Sequence, residues 1–389
     1  MKKEKRGFTV FLVCYLAYTA IYVARVNLSM ASPGMLEKRI MTQEQVGVMG
    51  SVFFVIYAMG RIINGYIGDR VSPWIMISVG LFAAGLSNLG IGILPPFAAM
   101  LVLWGTNAYA QSMLWSSLLR VISEVYPVEQ AKKMLSYMVS SVATGNIAGI
   151  LINTVLIERL GVAFSFLIPG AILFVLCLAV ILATSKVKCR AVEKEHISMK
   201  KLLQEEKIKT VILPAMFHGM IKDNISLWMT LFFVDQFKID LNASAGFVLF
   251  IPVVGFLGRI AFPFLISLYK QKEDRLSTHA FVLCIIASLL LLPKNVMPVT
   301  AIICLSLIYA AISVINTVLV TYFPLQFAKN GNQSSVSGIM DFFTYLGAGI
   351  GSLVFGYLVS WLGYGAMFLA YAAISAISII MTVKMDKKA

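Results

Sequence analysis

The sequence predicts an all-α membrane protein, with twelve transmembrane helices arranged as two pseudosymmetric six-helix bundles. Three observations carry this. Of 389 residues, 59% are hydrophobic and only 13% charged, about half the charged fraction of a soluble domain. Apolar runs of near-spanning length recur from end to end, where a β-barrel would show short alternating segments. Two unrelated features repeat at nearly one offset, as an internally duplicated chain requires.

Six apolar runs come first, at about 8–31, 45–67, 75–94, 97–121, 134–158 and 162–184. Six more follow at about 210–235, 243–268, 278–293, 297–322, 333–360 and 363–383. Short turns such as "LPP" (94–96) and "LPKNVMP" (292–298) join them. The long connection is 185–209, "SKVKCRAVEKEHISMKKLLQEEKIK", read as a linker with a short amphipathic helix. The expected domains are 1–184, the linker 185–209, and 210–389. The opening stretch resembles a leader peptide only in outline: its apolar run is too long and further spans follow.

The duplication shows in two places. "GRI" at 60–62 recurs at 258–260, 198 residues later. Arg25 in the first span has a cationic counterpart in Lys222 of the seventh, 197 residues later. Chains built from two such halves place their ligand near the bilayer midplane, at the repeat interface.

The net charge is +14, which in a soluble protein would point to nucleic acid. Its placement argues otherwise. Lysines and arginines cluster before the first span (Lys2, Lys3, Lys5, Arg6), in the central linker and after the last span (Lys384, Lys387, Lys388). The intervening loops on the other side hold few. By the positive-inside rule the linker and both termini are expected in the cytoplasm, with the chain multi-pass in the cell membrane. No nucleic-acid partner is expected. The five cysteines, Cys14, Cys177, Cys189, Cys284 and Cys304, lack metal-ligand spacing. No nucleophile–base pair or phosphate loop appears either, so neither an enzyme nor a cofactor or metal is expected.

The chemistry lies in polar stripes on apolar helices. A charge inside a span costs at least ~2.5–3.5 kcal/mol on insertion scales, so it is expected to face a polar cavity. Tyr18, Tyr22, Arg25 and Ser29 share one face of the first span. His218, Lys222 and Ser226 share one of the seventh, with Asp223 adjacent. Asn107, Gln111 and Trp115 align on the fourth, Tyr309, Ser313 and Asn316 on the tenth, and Ser334, Ser337, Asp341 and Tyr345 on the eleventh. Bland readings stand beside this one: Arg25 and Arg61 snorkelling to headgroups, Lys222 and Asp223 neutralising neighbours, His218 packing as a satisfied core residue. Taken together the stripes describe a cavity for an anion, because Arg25 offers a fork for phosphate or carboxylate and Lys222 a point charge.

The segment "GRIINGYIGDRVSP" (60–73) carries Gly65, Asp69 and Arg70 at positions resembling the loop motif of the major facilitator superfamily. The trailing basic pair is replaced by "VSPW". The stretch Asp69-Arg70-Val71-Ser72-Pro73 resembles instead the loop of the organophosphate:phosphate antiporter family. "YVARVN" (22–27), "QSMLWSSLLR" (111–120), Tyr57 with Arg61, and "GIMDFFTYLG" (338–347) resemble further family patterns, the last with one extra residue.

That resemblance implies the major facilitator fold and transport by alternating access, with a monomer expected. It implies that Arg25 and Lys222 bind the anion, although the family usually has arginine at both positions. It implies that Gly65 permits close helix packing and that Asp69 and Arg70 brace a cytoplasmic gate, with Arg61 a second basic step. The expected substrate contacts are Arg25, Lys222, Tyr18, Tyr22, Gln111, Trp115, His218 and Tyr345. Asp223 and Asp341 are extra acids expected to set the coupling. The favoured function is exchange of a phosphorylated metabolite for phosphate. Proton-coupled symport of a sugar acid, a membrane sensor for a sugar phosphate, and multidrug efflux remain open beside it.

Overall fold

The computed structural model of the chain describes residues 2–184, 199–270, 272–293, 295–327 and 333–386. These are helical almost throughout: α1 (Lys2–Glu37), α2 (Gln43–Arg70), α3 (Pro73–Gly92), α4 (Phe97–Ser112), α5 (Leu114–Val125), α6 (Val128–Leu160), α7 (Phe164–Thr184), α8 (Met199–Gln204), α9 (Glu206–Phe237), α10 (Leu241–Leu268), α11 (Glu273–Leu289), α12 (Pro298–Asn316), a π-helical segment (Thr317–Tyr322), α13 (Phe323–Leu325), α14 (Gln333–Leu362) and α15 (Tyr364–Asp386). A helix satisfies every backbone N–H and C=O within itself, which is what hydrocarbon demands. Among the described residues, nine helices are long and apolar enough to cross a membrane on length and composition alone.

Each of the twelve expected runs coincides with helix, but three differ in detail. The fourth, expected unbroken over 97–121, is interrupted at Met113. There Ser112 donates back to the Tyr109 carbonyl at 2.6 Å and accepts from Asn64 Nδ2 at 2.7 Å. A side chain that competes for a helix carbonyl in this way bends the helix. The tenth run is α-helical to Asn316 and then widens into the π-helical segment. Of the linker, 185–198 lies outside the described residues. Its remainder holds the short α8, and α9 begins at Glu206, a turn earlier than expected.

The chain divides into two compact units, Met1–Met41 with Met59–Lys194, and Thr42–Ala58 with Glu195–Ala389. In the first, α1 packs on α6 and α7, and α3 packs on α7 and α4. In the second, α9 packs on α14 and α15, and α11 packs on α15 and α12. These are the same pairings six spans apart, the tertiary counterpart of the repeat. The α1–α6 seam is tight because Gly145 sits on it: an added Cβ would lie 2.7 Å from the Thr19 carbonyl oxygen. Large apolar side chains such as Leu178, Leu182 and Phe264 point outward, as in a lipid-facing surface.

Candidate functional site

In the first unit, Arg25 stands half-buried on α1. Its Nε donates to Gln111 Oε1 at 2.9 Å, and its guanidinium lies 4.7 Å from the centre of the Tyr22 ring. Tyr18 meets Tyr22 edge-on at 5.4 Å and stacks obliquely on Trp115 at 4.8 Å. The i, i+4, i+7 spacing on α1 thus places Tyr18, Tyr22 and Arg25 on one wall, and α4–α5 supplies Gln111 and Trp115. Gln111 is fully buried and uses both ends: Oε1 accepts from Arg25, while Nε2 donates to Asn107 Oδ1 at 3.1 Å.

In the second unit, Lys222 on α9 donates to Asn316 Oδ1 at 3.3 Å and lies 3.4 Å from Asp223 Oδ2. Its ammonium lies 5.6 Å from the Tyr345 ring centre. His218 is fully buried, its ring held between the Ala215 carbonyl at 2.9 Å and Asn316 Oδ1 at 3.0 Å. Tyr345 meets Tyr57 edge-on at 4.7 Å. Asp341 lies half-buried on α14, one turn before Tyr345. Asn316 therefore joins His218 to Lys222. It is the last α-helical residue before the π-helical segment, a departure that recurs at functional sites.

The loop motif fares differently. The side chains of Asp69 and Arg70 lie outside the described residues. Gly65 does not pack closely: among the described residues an added Cβ would meet nothing within 4 Å. The close approaches on α2 fall at Gly47, Gly50 and Gly60 instead, the last against Ser112 and Tyr109. The physical reason is facing: Gly65 sits on an exposed face of α2, Gly60 on a buried one. Arg61 is half-buried on α2.

Sequence reasoning passed over several residues. Arg120 matched a motif but received no role. Its Nη1 donates to the carbonyls of Gly68 and, at 3.4 Å, Val71, holding the end of α2, while its Nε bonds Glu124 at 2.9 Å. Asn316 stood in a polar stripe, but nothing in the sequence showed that it bonds Lys222. Asn27 and Asn88 are buried amides on α1 and α3 whose pairing is visible only in the fold.

Residues 14–352 match the family model described as Major Facilitator Superfamily, and the chain belongs to that superfamily. The family is one of transporters, not of enzymes. Over 170 residues the chain is 25% identical to a protein of Chlamydia trachomatis named "Probable hexose phosphate transport protein", covering 43% of this chain and 37% of that one. Over 108 residues it is 27% identical to the membrane sensor protein UhpC of Escherichia coli K12, covering 28% and 24%. Both belong to the organophosphate:phosphate antiporter family. The matched stretches thus span about a quarter to two fifths of these relatives' length. Among solved structures, the fold is similar to that of the nucleoside transporter NupG, at a TM-score of 0.76 and 14% identity, covering 98% of this chain and 98% of that one.

Proposed function

We propose that this protein is a secondary active transporter that moves a small organic anion by alternating access, exchanging a phosphorylated metabolite for phosphate. One observation carries the proposal: in each unit a cation, Arg25 or Lys222, stands within a long, largely apolar helix and beside a tyrosine ring. A charge in that setting is costly unless a ligand or partner uses it. Similarity to a named hexose phosphate transport protein supports a phosphorylated substrate. Arg25 and Lys222 each donate to the anion in this reading. Tyr18, Tyr22, Trp115 and Tyr345 shape the space around it. Gln111 and His218 hold Arg25 and Asn316 in place. Asp69 and Arg70 gate the cytoplasmic side, and Arg61 is a second basic step. The functional bundles are 1–184 and 210–389, joined by 185–209, with both termini in the cytoplasm and the monomer in the cell membrane.

The test is uptake of labelled phosphate into proteoliposomes preloaded with phosphate. Exchange that requires internal phosphate and disappears in Arg25→Ala is the expected result. Absence of exchange by folded protein rejects this coupling. A second reading, proton-coupled symport of a carboxylate, is favoured by the Lys222–Asp223 pair at 3.4 Å. That pair gives the empty carrier an internal counter-ion, which a strict exchanger does without. Proton-driven uptake of a sugar acid, lost in Asp223→Asn, is the outcome that selects it.

A further inference from the structure

Behind Arg25 runs a chain of four fully buried amides drawn from three helices. Gln111 Nε2 on α4 donates to Asn107 Oδ1 at 3.1 Å, one turn earlier on the same helix. Asn88 Nδ2 on α3 donates to that same Asn107 oxygen at 3.2 Å. Asn27 Nδ2 on α1 donates to Asn88 Oδ1 at 2.7 Å and to the Ser165 carbonyl of α7 at 3.3 Å.

The direction of every bond is determined from the two ends independently. A guanidinium only donates, so Gln111 must turn its oxygen toward Arg25 and its NH2 toward Asn107. A backbone carbonyl only accepts. Asn88 donates to the Ala84 carbonyl at 2.8 Å as well, and Asn27 to that of Ser165, so both amides are oriented without reference to Arg25. The two runs converge on Asn107 Oδ1, which accepts twice. Convergence has a cost: Asn107 Nδ2 and Asn27 Oδ1 are buried without a hydrogen-bond partner among the described residues. An unsatisfied buried polar atom is destabilising. The arrangement nonetheless leaves Gln111 Oε1 one orientation, toward the Arg25 Nε.

We infer that Asn27, Asn88 and Asn107 are positioning residues that orient the Arg25 guanidinium through Gln111, tying it to the backbone of α3 and α7. The functional consequence rests on the reading of Arg25 as a ligand of the anion. The orientation itself does not.

The experiment uses purified full-length protein in detergent, with two readouts. One is hydrogen exchange at the Arg25 Nε–H, observed by 15N NMR and assigned by its loss in Arg25→Lys. The other is the Kd for inorganic phosphate. Asn88→Leu and Asn107→Leu break the chain from different helices, and Asn107→Ser is a milder third variant should either fail to fold. Thr154→Val is the control, a buried polar side chain on α6 that bonds the Ile150 carbonyl of its own helix outside the chain. The expected result is Nε–H exchange at least roughly tenfold faster in the chain variants and phosphate binding about tenfold weaker, the worth of one hydrogen bond to a charged group. The control should leave both unchanged. Unaltered exchange in monodisperse chain variants overturns the inference, and faster exchange with undiminished phosphate affinity overturns its functional consequence. Wild-type protein that binds no phosphate rejects the anion reading, and the exchange readout alone then decides the positioning role.

Discussion

Arg25 and Lys222 differ in what they can hold. Arg25 combines a planar fork with an aromatic neighbour, and Lys222 is a single ammonium shared between Asn316 and Asp223. Removing the fork should cost more. Arg25→Ala is expected to lower phosphate exchange roughly 100-fold, the loss of one to two charged hydrogen bonds. Lys222→Arg should raise phosphate affinity, because it restores bidentate recognition. Initial rates across phosphate concentrations in proteoliposomes check both. Away from the spans, Glu273 opens α11, where burial pushes its carboxyl above the usual carboxylate range. A hydrogen bond from Gln326 Nε2, at 3.4 Å, opposes the shift and Asp274 adds to it. A raised acid binds its proton more tightly folded than unfolded. Its contribution to stability is therefore greatest at low pH and falls as pH rises above the ordinary carboxylate value. Thermal unfolding in detergent at pH 4.5 and 7 should show that fall, and Glu273→Gln should flatten it.

At the scale of elements, the α1–α6 seam and the π-helical segment decide where the site residues stand. A methyl added at Gly145 meets the Thr19 carbonyl and the Tyr22 Cβ, with little room to yield. Gly145→Ala should destabilise by about 1–3 kcal/mol, read as a lower unfolding temperature, and should displace Tyr22 beside Arg25. The π-helical segment shifts the carbonyl register after Asn316, and Ser337 on α14 donates to the Val320 carbonyl within it at 2.9 Å. Ser337→Ala removes that hydrogen bond. Phosphate affinity is expected to weaken severalfold through Asn316 and Lys222, by the cost of one lost hydrogen bond. An unchanged Kd in folded Ser337→Ala would show that the segment does not govern Lys222.

For the whole molecule, the symport reading makes charge balance the determinant of coupling. The formal charges of Arg25, Lys222, Asp223 and Asp341 sum to zero before an anion binds. A carrier with unpaired positive charge crosses empty only at high cost, and so exchanges strictly. In that reading the wild-type chain fills empty vesicles, and the combined Asp223→Asn and Asp341→Asn variant fills only phosphate-loaded ones. Equal behaviour of the two in loaded and empty vesicles would dissociate these acids from coupling.

The membrane class, the helical runs and the presence of a cation in the first and seventh runs were legible in the sequence, because each is a linear property. Hydropathy over some twenty residues reports a span. A charge in such a run stands out wherever the helix turns, and a repeat declares itself by offset alone. Tertiary structure alone decided which polar residues work as partners. Asn27, Asn88 and Asn107 look like ordinary interhelical amides until three helices bring them into one directed chain. Asn316 needs the packing of α12 on α9 to reach Lys222, and the break at Met113 arises from Asn64 and Ser112 on different helices. Helical periodicity predicts which side chains share a face of one helix. It carries no information on which face of another helix lies within hydrogen-bonding distance.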